Sequence, residues 1–225
     1  MKWYIKRQKT SYQSINELVD NKLMSRILST RQFKNKKELI NYLNPNISIL
    51  YNTNMQGLHD AAKYLCNTSE KVGIVTDYDI DGVFSGYLLV QLLELLGIDY
   101  TVYIPDRVID GYGINTNIID RAIADNCKTI ITCDNGISAF DAISYAKEKG
   151  LFVIVTDHHD LPIDEQGNAS LPVADIIINP KLGDYPFTEL CGAGVVYKLI
   201  IATFKEKHWN VKTTHKYLPY TAFAT

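Results

Sequence analysis

Residues 72–82 read VGIVTDYDIDG, an apolar run followed at once by three aspartates at alternate positions. Similar short apolar runs recur along the chain, at 100–104, 129–133, 152–156 and 175–178. Amphipathic stretches typical of helices separate them, near 83–97, 115–126 and 138–149. Strands that alternate with helices at this spacing predict β-α-β units. We therefore expect an α/β fold: an open, mainly parallel five-stranded sheet with helices on both faces.

The chain before residue 71 has a different pattern. Apolar residues recur there at helical spacing within 14–28, 36–43 and 57–67. We therefore expect two regions, a helical N-terminal segment over residues 1–68 and an α/β domain over residues 69–225. A last helix is expected over 195–206.

Composition excludes several classes of protein. With 46% hydrophobic and 21% charged residues, the 225-residue chain is neither disordered nor collagen-like. No apolar run approaches the ~18 residues that a membrane span needs, and the basic start leads into polar residues, unlike a signal peptide. The four cysteines have no C-x-x-C spacing, which favours reduced thiols in the cytoplasm over a zinc site: Cys66, Cys127, Cys133 and Cys191.

The net charge of −2 hides an asymmetry. Residues 1–38 carry ten Lys and Arg against three Asp and Glu, whereas the rest of the chain is acidic. A basic segment beside an acidic body suits a protein that tracks a polyanion with one part and holds a cation with the other. The alternative is that Lys34, Lys36 and Lys37 lie on a solvated helix face.

The aspartates Asp77, Asp79 and Asp81 carry the sharpest signal in the sequence. Three carboxylates this close cannot all be anions without a cation or protons between them. A calcium loop of the EF-hand type fails, because its twelfth position is Leu88 rather than Glu and a strand precedes the loop. A phosphatase with an aspartyl nucleophile stays open on this motif alone.

Two further polar clusters follow predicted strands. Asp134-Asn135-Gly136 comes directly after 129–133, and Asp157-His158-His159 directly after 152–156. Taken singly, Asp134 would also suit a helix N-cap and His158 a structural histidine. Together, all three clusters fall at the carboxyl ends of strands, where open α/β sheets bind ligands. Carboxylates with one or two imidazoles indicate a hard divalent ion, Mn²⁺ or Mg²⁺ rather than zinc.

The three clusters resemble motifs I, II and III of the DHH phosphoesterase superfamily, and among its members the chain is most similar to the single-strand-specific exonucleases. The further matches are IPDR at 104–107, DGYG at 110–113, INP at 178–180, YPF at 185–187 and LCGAGV at 190–195. Upstream, YLNP at 42–45 resembles the lead-in of those exonucleases, so that the similarity spans about residues 36–204. Asp106 departs from the pattern, since those exonucleases usually carry Asn there.

This resemblance implies a two-metal phosphodiesterase, a 5′→3′ exonuclease on single-stranded DNA in recombination and repair. By motif position it implies Asp77, Asp79, Asp134 and His158 as ligands of two Mn²⁺ or Mg²⁺ ions, with Asp134 as the bridge. Asp134, His158 and His159 are the expected catalytic residues. His159 is also expected to contact the substrate phosphate.

Other residues are expected to support this chemistry. The resemblance implies that Asp81 and Asp157 steady the ligands without touching an ion. Arg107, Gly192 and Gly194 are candidates for phosphate binding, through a guanidinium and through the N–H groups at a helix start. The alternatives are a surface ion pair for Arg107 and tight backbone packing for the glycines.

The expected partner is single-stranded DNA, and in the cell a single-strand-binding protein and a helicase. Tyr78 and Tyr112 lie beside the motifs and are able to stack bases of any sequence. Similar sequences continue into a further aspartate ligand and a second domain. We therefore expect residues 1–225 to be an N-terminal part that lacks one ligand.

Two other functions stay open. DHH relatives that cleave oligoribonucleotides, cyclic dinucleotides or pyrophosphate usually carry a histidine four residues before the first motif aspartate. That position is Gly73, which favours the exonucleases. A non-catalytic nucleic-acid-binding scaffold with the same fold would have lost its ligands, whereas the ligands of motifs I to III are all present.

Overall fold

A computed structural model describes residues 7–11, 15–108 and 111–225. The sequence features at Ser14, at Asp110 and in the basic start before Arg7 lie outside these residues. The chain forms two compact units, Met1–Leu50 and Tyr51–Thr225. The boundary expected between residues 68 and 69 stays a prediction.

The first unit contains the helices α1 (Lys22–Ser29) and α2 (Lys36–Leu43), and a short 3₁₀ helix over Ile47–Tyr51 follows α2. The helix predicted over residues 14–28 is broken. Asn21 accepts hydrogen bonds from the N–H groups of Leu23 and Met24 and so caps a new helix at Lys22. The small hydrophobic core of the first unit comprises Ile15, Leu28 and Leu39.

The second unit contains all five strands. Its helices are α3 (Leu58–Asn67), α4 (Ile80–Leu96), α5 (Thr116–Ala124), α6 (Phe140–Glu148), α7 (Gly192–Glu206) and α8 (Leu218–Ala224), with a 3₁₀ helix at Val211–Tyr217. Its strands are β1 (Val72–Thr76), β2 (Tyr100–Tyr103), β3 (Thr129–Cys133), β4 (Phe152–Thr156) and β5 (Ile176–Ile178). The predicted strands are therefore confirmed, with β2 and β5 one residue shorter than expected.

All pairings in the sheet are parallel, in the order β2-β1-β3-β4-β5. The central strands β1 and β3 are buried at every position, as expected for a parallel sheet covered on both faces. After β1 the chain continues to β2, which lies on one side of β1, and after β3 it continues to β4, which lies in the opposite direction along the sheet. A crevice therefore opens between the carboxyl ends of β1 and β3.

Helices cover both faces of this sheet, as predicted. On one face α5 and α6 pack onto alternate residues of β1, β3 and β4 to form an apolar core. On the other face α4 and α7 pack against each other and on the sheet, and α3 packs on α7. The described helices include none that is long and apolar enough to cross a membrane. The four cysteines are free thiols.

Two helices begin earlier than the sequence predicts, and both changes affect the motifs. α4 starts at Ile80 rather than near residue 83, because the side chain of Asp79 caps it by accepting the N–H of Gly82 at 2.9 Å. α7 starts at Gly192 rather than at residue 195. Asp81 and Gly192 therefore both lie in the first turns of helices.

Candidate metal centre

Strand register brings the three polar clusters together. Thr76 at the end of β1 pairs with Cys133 of β3, and Cys133 pairs with Thr156 of β4. The next residue on each strand is an aspartate, Asp77, Asp134 or Asp157. The three carboxylates therefore leave the sheet side by side at its carboxyl edge.

The clusters supply two groups of metal-ligand atoms. One group comprises Asp77, Asp79 and Asp134, and the other comprises Asp134, His158 and His159. Within each group the ligand atoms lie within 4.8 Å of one another. Asp134 belongs to both groups, which is the arrangement expected of a carboxylate between two cations.

Asp134 is a buried carboxylate with a strained backbone and a raised pKa. It is only 2% exposed, its backbone is left-handed with φ of +63°, and its Oδ1 accepts no backbone N–H or hydroxyl among the residues that the structure describes. Nε2 of His158 lies 3.1 Å from this oxygen. Burial raises the pKa of Asp134 to about 6. A buried carboxylate oxygen that faces an imidazole fits a cation between them, since oxygen and imidazole ligands suit Mn²⁺ or Mg²⁺.

Asp77 and Asp79 face Asp134 from the end of β1. Asp77 is buried, and this burial raises the pKa of its carboxyl group. Asp79 is exposed, although one of its oxygens caps α4. The turn between them is tight: a Cβ at Gly82 would lie 2.6 Å from the backbone carbonyl oxygen of Asp77, so only glycine fits there.

Asp157 differs from the other aspartates because protein donors surround its carboxylate. Oδ1 accepts the backbone N–H groups of His158 and His159 and also contacts Nδ1 of the His159 ring, while Oδ2 accepts the N–H of Ile137. It belongs to neither ligand group among the described residues. The contacts give Asp157 an orienting position behind the two histidines.

The glycine segment expected to bind phosphate is the first turn of α7. The N–H groups of Gly192 and Ala193 donate to Asp81, and the N–H of Gly194 donates to Sγ of Cys191. These donors are therefore engaged within the protein. A Cβ at Gly192 would lie 2.6 Å from Oδ1 of Asp134, so the packing alternative has direct support there.

Arg107 lies at the rim of the site. Its guanidinium is 5.7 Å from the ring centre of Tyr78, whose ring meets that of Tyr112 edge-on at 6.5 Å. Tyr112 in turn meets the ring of His159 edge-on at 6.1 Å. The rings of His159, Tyr112 and Tyr78 thus form a row that ends at the exposed guanidinium of Arg107.

Sequence reasoning gave no role to Asn135, which the structure places at the centre of the edge. Its fully buried amide donates to the carbonyl groups of Val75 and Cys133 and accepts the N–H of Ile114. It thus joins the ends of two strands to a loop. Tyr112 on that loop donates its hydroxyl to the carbonyl group of Asp134 at 3.1 Å. The available signal was a polar amide directly after an apolar strand.

Comparisons with known proteins agree with this architecture. Residues 71–225 match the DHH family, N-terminal domain. The single-stranded-DNA-specific exonuclease RecJ of Haemophilus influenzae is 36% identical over 195 residues, which are 83% of this chain and 32% of that protein. RecJ of Escherichia coli is 40% identical over 156 residues, which are 66% of this chain and 26% of that protein.

A solved structure extends the likeness to three dimensions. The crystal structure of exonuclease RecJ bound to manganese superposes with a TM-score of 0.67 at 27% identity, over 76% of this chain and 43% of that one. The chain spans about a third or less of the length of the curated RecJ proteins that it matches. From its sequence match, its sheet and its three motifs, the chain belongs to the DHH family, with RecJ exonucleases among its relatives.

Proposed function

We propose that this chain carries the catalytic edge of a phosphodiesterase that depends on divalent metal ions and degrades single-stranded DNA from the 5′ end. The observation that carries the proposal is Asp134, a buried carboxylate shared by two groups of metal-ligand atoms, whose Oδ1 faces Nε2 of His158 at 3.1 Å. Relatives named as single-strand-specific exonucleases support the choice of substrate. A role in recombination and repair is part of the proposal.

Each ligand then has a place. Asp77 and Asp79 would hold one Mn²⁺ or Mg²⁺ ion and His158 would hold the other, with Asp134 shared by both groups of ligand atoms. Such ions supply a Lewis acid for the scissile phosphate and lower the pKa of a water molecule. A relative of this fold is described as bound to manganese, which supports the choice of metal.

His159 has a distinct role. Its side chain is 47% exposed, against 29% for His158, and Asp157 fixes its ring through Nδ1. Its Nε2 remains for a group outside this pair. We assign this nitrogen to the substrate phosphate rather than to an ion, although His159 belongs to the second group of ligand atoms. Asp157 then acts as an orienting residue for the His159 ring and for the backbone of the loop.

The rim suits a flexible single strand. Arg107 offers a guanidinium to phosphate oxygens, and the rings of Tyr78 and Tyr112 offer stacking surfaces to bases of any sequence. Gly192 and Gly194 would bind phosphate through their N–H groups, which here donate to Asp81 and Cys191, so this contact needs the first turn of α7 to release them. A single-strand-binding protein and a helicase are the expected partners on this substrate.

A nuclease assay tests the proposal. The chain is incubated with Mn²⁺ and a 5′-labelled single strand, a duplex of the same sequence, or a cyclic dinucleotide. We expect slow, non-processive cleavage of the single strand only, and its loss in Asp134→Asn. Asp141→Asn is the control, because it removes an exposed carboxylate from the first turn of α6, the helix that follows Asp134 in the chain. Hydrolysis of the cyclic dinucleotide in preference, or equal cleavage by Asp134→Asn and the parent, would contradict the proposal.

A further inference from the structure

A short basic segment stands out from the acidic body of the second unit. Residues 205–216 read KEKHWNVKTTHK and carry four Lys and two His against one Glu. Residues 51–204, in contrast, carry 9 Lys and Arg against 21 Asp and Glu. We call residues 205–216 the basic turn; it comprises the end of α7 and most of the 3₁₀ helix that follows.

The basic turn lies far from the metal-ligand residues. α7 begins at Gly192, which packs on Asp134, and runs for 15 residues to Glu206. At 1.5 Å per residue, the two ends of the helix are roughly 20 Å apart. A ligand of the basic turn is therefore separate from the groups held by the three polar clusters.

The positive charge of the basic turn is not neutralised within the protein. Its lysines are exposed, and among the described residues none of them pairs with a carboxylate: Lys205, Lys207, Lys212 and Lys216. Lys207 donates to the carbonyl group of Cys66, and Lys205 donates to that of Tyr51, so both contact neutral acceptors. The single acidic residue, Glu206, lies 3.8 Å from a histidine ring of α3.

Trp209 lies in the middle of the basic turn, and the end of α7 fixes its ring. His208 follows the last turn of α7 with a left-handed backbone, φ of +56°. The N–H groups of His208 and Trp209 donate back to carbonyl groups of α7 at 3.0 and 2.8 Å, the pattern of a Schellman motif. The indole ring meets that of Phe204 edge-on at 5.1 Å, yet Trp209 remains 38% exposed. The ring is therefore held in place with part of its surface open to solvent.

Tyr51 joins the two halves of the basic turn. Its carbonyl group accepts from Lys205 at the end of α7, and its hydroxyl group lies 2.6 Å from Nε2 of His215 on the 3₁₀ helix. The rings of Tyr51 and His215 also stack. Residues three apart lie on one side of a 3₁₀ helix, so Lys212 shares a side with His215. The lysines of α7 and of the 3₁₀ helix thus belong to one surface.

We propose that the basic turn is a second contact surface for single-stranded DNA, on which Trp209 stacks with a base and the lysines bind neighbouring phosphates. The choice of DNA rests on the proposed function. Lysines without carboxylate partners attract a polyanion, and an aromatic ring among them stacks with a base of any sequence. An acidic peptide supplies the charge but no base for the ring. A strand that contacts both the metal-ligand residues and the basic turn spans about six or more stacked nucleotides, at 3.4 Å each.

The fluorescence of Trp209 tests the inference. The chain has two tryptophans, so Trp3→Phe leaves Trp209 as the only one. This variant is titrated in EDTA with an unlabelled oligothymidylate. Because stacking on a base quenches indole emission, we expect saturable quenching, with a Kd that rises steeply with salt. Polyglutamate of equal charge is the second probe and should leave the emission unchanged.

Lysine variants of Trp3→Phe separate the basic turn from the charge of the whole chain. When Lys212 and Lys216 are both changed to Ala, the slope of log K against log salt should become shallower by about 1.4, since each phosphate contact contributes about 0.7. Lys149→Ala is the matched control and should keep the slope. Like Lys216, Lys149 is exposed, and the Nζ atoms of the two lysines lie 4.8 and 4.9 Å from the centres of tyrosine rings.

Variants of Trp209 in the parent chain test the ring itself, by fluorescence anisotropy of a labelled oligothymidylate in EDTA. Trp209→Leu keeps an apolar contact with Phe204 but removes the stacking surface, so its Kd should rise about 5-fold or more. Trp209→Phe should retain most of the affinity. Both changes shorten the contact with Phe204, so the difference between them reports the stacking surface.

Three results overturn the inference. The first is emission from Trp209 that DNA does not quench, whether or not DNA binds elsewhere on the chain. The second is equal quenching by polyglutamate, which would make the basic turn a surface for acidic peptides. The third is an unchanged salt slope in the double lysine variant. Quenching in a chain that cleaves no DNA would contradict the proposed function alone, and cleavage without quenching would contradict this inference alone.

Discussion

Nδ1 of His159 lies 2.7 Å from Oδ1 of Asp157, at the base of the third polar cluster. Burial disfavours the charge of Asp157, but hydrogen bonds from the His159 ring and from backbone N–H groups outweigh it and lower the pKa of this carboxyl group. The same contact raises the pKa of His159 to about 9. The carboxylate thus keeps a proton on Nδ1 and directs the ring through a charged hydrogen bond.

Replacing Asp157 by Asn should weaken Mn²⁺ binding without removing a ligand. The neutral amide no longer fixes the loop that carries His158, whose N–H donates to Asp157 together with that of His159, and loss of such an orienting partner typically costs 10- to 100-fold in metal affinity. Calorimetry measures the change. Asp160→Asn is the control, since Asp160 is exposed and pairs with Lys181 at the surface. Equal Kd values for Asp157→Asn and the parent would show that the contact does not matter to the ions.

Mn²⁺ should raise the melting temperature of the chain. Asp77, Asp79 and Asp134 repel one another when ionised, and a cation removes this cost in the folded state only. At 100 times the Kd, binding adds about 2.7 kcal/mol, or roughly 5–10 °C for a chain of this size. Differential scanning fluorimetry with and without Mn²⁺ measures the shift.

The shift should disappear in Asp134→Asn, which removes the shared ligand and one of the repelling charges. Without metal this variant should melt at or above the temperature of the parent. If Mn²⁺ does not change the melting temperature of the parent, no ion binds between these carboxylates.

The basic N-terminal segment should contribute to binding of single strands. We expect the affinity for a labelled oligonucleotide to fall steeply with salt, and the slope to become shallower when Lys34, Lys36 and Lys37 are changed to Ala. Removal of one phosphate contact reduces the slope of log K against log salt by about 0.7. Fluorescence anisotropy in EDTA measures binding without cleavage. An identical slope would leave these lysines as solvated surface residues, of which Lys36 already pairs with Glu17.

Lys198 should make stability depend on pH. Its side chain is buried on α7 near the ring of Tyr185, and burial lowers its pKa from 10.5 to about 8. Between these values the unfolded chain holds more protons than the folded one, so the contribution of Lys198 to the free energy of unfolding rises with pH across this window. Below pH 8 the burial of the charged amine is a constant cost.

Urea unfolding of the parent and Lys198→Met at pH 7 and pH 9.5 tests this expectation. Methionine carries no charge, so its advantage over lysine should be larger at pH 7 and shrink at pH 9.5. Because other groups titrate equally in both proteins, the difference isolates Lys198. A difference that stays constant between the two pH values would mean that the buried amine is neutral or well solvated throughout.

The strands and the places of the carboxylates could be predicted from the sequence, because both depend on local patterns. Three strands match the predicted bounds, since apolar runs bounded by polar residues have few alternatives in a covered parallel sheet. In such a sheet, the residues after the strands meet at one edge. The amino-acid sequence alone is therefore enough to place Asp77, Asp134 and Asp157 together.

The roles of the individual residues at that edge, in contrast, are determined by tertiary contacts. Asp81 stands in the same alternating run as Asp77 and Asp79, and nothing local distinguishes it; only its contact with Gly192, 111 residues away, does so. Likewise, the residues around Gly192 suggest a phosphate loop, whereas the fold packs Gly192 against Asp134. The periodicity of a sequence determines which residues face a site, but a hydrogen bond between distant segments exists only once the packing of the helices has brought its donor and acceptor together.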